Sequence, residues 1–91
     1  MKRFRVMLRA SGLVRLMDGQ PERLGVYAVH FVAARDQETA ESLTCAWLKE
    51  RLKATASLTP RSRFQLESCE LIPPAEVPAT QPGLTWFRET T

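Results

Sequence analysis

The chain predicts an α+β fold: a three- or four-stranded, mainly antiparallel sheet with one helix on one face. The element order is β-β-α-β, half of a ferredoxin-like split β-α-β layout. Three observations predict it. Residues 3–10 and 25–34 alternate with period two, the signature of half-buried strands. An Asp18-Gly19 pair stands between them, a strong two-residue hairpin signal. Residues 37–53 then place apolar side chains at helical spacing. At 91 residues, the chain reads as one domain, 1–91, whose core is one sheet face with one helix against it.

In the first strand, Phe4, Val6, Leu8 and Ala10 alternate with Arg3, Arg5, Met7 and Arg9. A second apolar run after Gly12 leads to the hairpin around 18–19. A two-residue loop pairs residues whose numbers sum to 37. Leu8 then faces Val29, Val6 faces Phe31, Phe4 faces Ala33, and Gly12 faces Gly25. In that register Tyr27, Val29, Phe31 and Ala33 join the helix side. Val26, Ala28, His30 and Val32 point away from it. The facing glycines predict a sharp bend in a long hairpin, and Pro21 suits its tip.

Asp36 reads as an N-cap, with Glu38 and Glu41 in the first turns and Lys49, Arg51 and Lys53 near the end, each sign where the helix dipole favours it. Ala40, Leu43, Thr44, Trp47 and Leu48 share one arc, with Leu52 at its edge. Trp47 is expected to contribute most to packing. In the third strand, 63–72, Phe64 and Leu66 have one parity, and Cys69 and Leu71 the other. A bulge near Glu67-Ser68 would bring both pairs inward. A helical crossover would return this strand parallel to the second, with the first between them. A proline-rich connector, 73–83, leads to a short strand candidate, 84–87.

The stretch "LMDGQPERLGVYAVHFVAARDQETAESLTCAWLKERL", with a closing "GLTWFRE", resembles a group of short bacterial proteins. Those have a β-hairpin, a strand of the "GFYTTRFVEA" type, an "EEA" helix start and a terminal "GFTFY"-like segment. The matching residues are Gly25, Tyr27, Phe31, Val32, Ala34, Glu38, Ala40 and Gly83 to Phe87. The chain departs at Val26, Ala28 and Val29, where the group tends towards aromatic or hydroxyl residues, and its helix start is less acidic. The resemblance implies a fold rather than an activity.

Hydrophobic content of 44% and charged content of 25% are those of an ordinary globular protein. No run approaches 18 apolar residues, and arginines interrupt the basic N-terminus. A membrane span and a signal peptide are therefore not expected, and the expected location is cytoplasmic. Cys45 and Cys69 form no CxxC and are expected to be reduced and half-buried. His30 is the only histidine, too few for a histidine-rich metal site and with no local partner for base catalysis. The four glycines are isolated, so no phosphate loop is present. The expectation is a protein that is not an enzyme and uses no metal or cofactor.

Residues 1–35 carry seven basic and two acidic side chains, and residues 36–91 carry six and eight. The basic excess is therefore N-terminal. It coincides with the expected interaction face: Arg3, Arg5, Met7, Arg9, Val26, Ala28, His30 and Val32. His30 reads there as a surface residue whose pKa the arginines lower. The first functional expectation is a non-catalytic interaction or regulatory module. It would form a homodimer or bind a protein partner through this apolar strip, unless the C-terminal "LTWF" folds over the strip. The alternative is nucleic-acid binding through the arginine stripe. It ranks second because Phe4, Tyr27 and Phe31 are expected on the helix side, leaving no rings to stack on bases. A third reading, a toxin–antitoxin or immunity component, rests on size.

Overall fold

The computed structural model describes residues 1–73 and 83–89. It contains β1 (Lys2–Met17), β2 (Gln20–Ala34), α1 (Gln37–Leu52), β3 (Arg63–Ile72) and β4 (Gly83–Arg88). The strands form one sheet in the order β3-β1-β2-β4, antiparallel at every seam. β1 thus separates β2 and β3, the two strands that α1 joins, as the crossover reading requires. The connector expected over 73–83 lies outside the described residues, apart from its two ends.

Asp18 and Gly19 both have positive φ, 53° and 79°, the geometry of a type I′ turn. Next to the turn the predicted register holds, from Met17 opposite Gln20 to Leu13 opposite Leu24. It then changes. Ser11 and Gly12 both fall where β2 has only Gly25, and Ala10 pairs with Val26. Two residues against one make a β-bulge rather than a symmetric bend. Gly12 has a φ of +69°, and a Cβ there would lie 2.5 Å from the carbonyl oxygen of Arg61. The loop holds the bulge in place: the hydroxyls of Thr59 and Ser62 donate to the Gly12 carbonyl at 3.0 and 2.8 Å.

A one-residue slip turns every side chain of a strand to the other face. Beyond the bulge, Phe4, Val6, Leu8 and Ala10 therefore face Val32, His30, Ala28 and Val26. These are the helix-side residues of β2. Tyr27, Val29, Phe31 and Ala33 lie on the opposite face, the reverse of the assignment made from a uniform register.

Val6, Ala10, Leu13, Val26 and Ala28 are fully buried beneath α1. The Asp36 carboxylate caps the helix by accepting from the Thr39 N–H at 2.8 Å. The helix buries Ala40, Thr44, Leu48 and Leu52, a single i, i+4 ridge. Leu52 sits in the core rather than at its edge, while Leu43 is 45% exposed. The alanines at 10 and 28 leave room for this ridge close to the sheet. Trp47 is too wide for that position and packs beside it, half-buried.

β3 contains the anticipated irregularity. Met7 pairs with Ser68 and Leu8 with Leu66, so Glu67 is left over. Phe64, Leu66, Cys69 and Leu71 consequently all take positions opposite helix-side residues of β1, but only Phe64 and Cys69 are partly buried there; Leu66 and Leu71 remain exposed. No helix among the described residues is long and apolar enough to cross a membrane.

Candidate interaction face

The open face of the sheet, opposite α1, is built from the outward set of each strand. Across the β1–β2 seam the pairs are Arg3 with Ala33, Arg5 with Phe31, Met7 with Val29, and Arg9 with Tyr27. β3 adds Ser68, Glu70 and Ile72 opposite Met7, Arg5 and Arg3. β4 adds Gly83, Thr85 and Phe87 opposite Val29, Tyr27 and Gly25.

Two clusters stand out on this face. In the first, the rings of Tyr27 and Phe87 lie 5.1 Å apart at 37°. The Arg9 guanidinium lies 6.0 Å from the Tyr27 centroid and 5.7 Å from that of Phe87, within cation–π range. The Phe87 ring occupies the space over Gly25, where a Cβ would overlap it, so glycine lets an aromatic ring lie flat on the strand. Nε of Arg9 is buried without a hydrogen-bond partner among the described residues. In the second cluster, Arg3, Phe31, Val32, Ala33 and Ile72 line a shallow hollow at the far end of the strands. Arg5, between the clusters, is paired with Glu70. Both side chains are exposed, so the pair contributes little to stability.

The structure divides the residues expected to form this face. Arg3, Arg5, Met7 and Arg9 lie on it. Val26, Ala28, His30 and Val32 lie under the helix instead, with Val26 and Ala28 fully buried. The slip at Ser11-Gly12 is the physical reason. The same slip brings Tyr27, Val29 and Phe31 into the face, and β4 adds Phe87. The signal for them was already visible in the sequence. Two glycines near one hairpin position fit a bulge as well as a bend, and a bulge inverts the faces.

His30 stacks on Trp47, with centroids 4.2 Å apart and planes within 1°. Its Nδ1 lies 3.4 Å from Oγ1 of Thr44. Thr44 is the one polar residue among the buried side chains of α1, and His30 gives its hydroxyl a neighbour. Burial pushes the imidazole pKa down. Desolvation is the cause, not the arginines, which occupy the other face. Arg51 lies 5.7 Å from the Trp47 centroid and closes the outer end of this stack.

Cys45 and Cys69 are free thiols, both partly buried. Burial, and secondarily the Glu41 carboxylate, push Cys69 up, which disfavours the nucleophilic thiolate. Among the described residues no cluster of three or more His, Cys, Asp or Glu side chains could hold a metal ion.

Comparison of the chain with protein-family models, with curated proteins and with solved structures finds no match. Among the described residues, fold and surface define it as an α+β protein with one helix on one face of a four-stranded antiparallel sheet.

Proposed function

We propose that the chain is a non-catalytic interaction module whose working surface is the open face of its sheet. One observation carries this reading. The helix takes one face, and the other presents the exposed Tyr27 and the partly exposed Met7, Val29, Phe31 and Phe87 between arginines, with no helix over them among the described residues. Contiguous apolar surface of this kind marks interaction sites more often than isolated exposed side chains do. Polar groups support the reading from the other side. The histidine is engaged with Trp47 and Thr44, and the Cys69 thiol pKa is raised by burial and by the Glu41 carboxylate, with no hydrogen-bonded base among the described residues. Neither has the partners that general-base or nucleophilic chemistry needs.

Site-specific photocrosslinking in the producing cell tests this without presupposing the partner. A benzophenone side chain placed at Val29 is expected to form an adduct, whatever occupies the face. The same group at Leu43, exposed on the helix, is expected to form none. Adducts at 43 with none at 29 would contradict the reading.

A further inference from the structure

We infer that the occupant of the open face is a single-stranded nucleic acid, with bases stacked on the aromatic side chains and phosphates paired with the arginines. The inference rests on the proposed reading of that face as the working surface.

The first argument is charge. On the open face between the β1 bulge and the Arg3 end, the charged residues at paired positions are Arg3, Arg5, Arg9 and Arg63 against Glu70. On the turn side of the bulge Arg23 shares their face, and the Glu89 carboxylate accepts from the Gly12 N–H. A two-fold contact sets one patch against itself. A second copy would therefore bring a net positive face against another, which costs affinity. A polyanion is the complementary partner, and guanidinium groups match phosphate oxygens in bidentate geometry.

The second argument is the interleaving of rings with arginines. Tyr27 and Phe31 stand four residues apart on one face of β2, about 13 Å at roughly 3.3 Å per residue. Each station has its own cation. Arg9 lies over Tyr27 and Phe87, and Arg3 shares the hollow with Phe31. A flat sheet cannot reach base faces inside a duplex, because they are stacked on each other. A single strand offers them. Stacking on aromatic side chains combined with a basic surface tracking the backbone is the physical basis of such binding. Neither contact requires or excludes a 2′-hydroxyl, so RNA and DNA strands are both accepted.

Arg5 is partly neutralised by Glu70, which leaves Arg3, Arg9 and Arg63 to meet phosphates. The test is fluorescence anisotropy of the full chain with a labelled 12-nucleotide oligothymidylate. The plot of log affinity against log salt is expected to have a slope of about −2, from three phosphates at about 0.7 each. Tyr27→Ala and Phe31→Ala are each expected to weaken binding about tenfold, within the stacking range for one base. Arg3→Ala should lower the slope by about 0.7. Arg3 is exposed, so a folding defect cannot mimic that result, and circular dichroism checks the aromatic variants. The inference is overturned if the strand does not bind at low salt. Equal binding of a duplex of the same length, with no effect of the aromatic substitutions, also overturns it. If the strand fails to bind while wild type sediments as a dimer that Val29→Glu converts to monomer, the occupant is a second copy. In that case the interaction-module reading stands. If Val29 also gives no crosslink, both fall.

Discussion

His30 shows how much a single residue's meaning depends on register. In a uniform hairpin it is a solvent-facing imidazole among arginines. One inserted residue places it against Trp47 and Thr44, where burial opposes its charged form. The folded-state pKa lies below the ordinary value of 6.5, so the unfolded chain binds more protons between the two values. Stability is therefore fully present above about pH 6.5 and falls as pH drops towards the folded pKa. Thermal melts of the wild type are expected to show this decline. His30→Phe, which keeps a stacking ring and cannot titrate, is expected to flatten it. The Asp36 cap acts in a separate window. Its carboxyl is held below its ordinary 3.8 by the Thr39 hydrogen bonds. Its contribution is present above that value and is lost at lower pH. An identical decline in His30→Phe and wild type would show that His30 is not the titrating group.

At the scale of elements, most of the architecture was legible. Period-two alternation located β1, β2 and β3, Asp36 marked the helix start, and the parity break in β3 required the bulge at Glu67. The orientation of α1 was less legible. An arc drawn through Leu43 and Trp47 weighs side chains by hydrophobicity. The sheet selects by shape, and its central alanines admit the ridge from Ala40 to Leu52. Leu48→Ala is expected to cost about 2–5 kcal/mol, the range for a buried leucine losing its core contacts. Leu43→Ala is expected to change stability by less than about 1 kcal/mol, as exposed positions do. Chemical denaturation measures both. Similar losses for the two variants would mean that the helix is rotated towards Leu43.

For the whole molecule, the decisive feature is the Ser11-Gly12 bulge. It leaves the turn-proximal register untouched and reverses the faces of β2 along the rest of the hairpin. The hydrophobic pattern could not reveal this, because both faces of β2 are apolar over residues 26–33 and either register buries a plausible core. The loop that fixes the bulge, Thr59 to Ser62, is distant in sequence, so the two glycines alone could not decide between a bulge and a bend. The functional account follows from the same shift: arginines and aromatic rings share a face only if the bulge is present. Cross-strand nuclear Overhauser contacts in the β1–β2 hairpin test this most directly. The structure predicts contacts linking Met7 with Val29 and Arg5 with Phe31. Contacts linking Leu8 with Val29 and Val6 with Phe31 would restore the uniform register, return the rings to the core, and contradict the account.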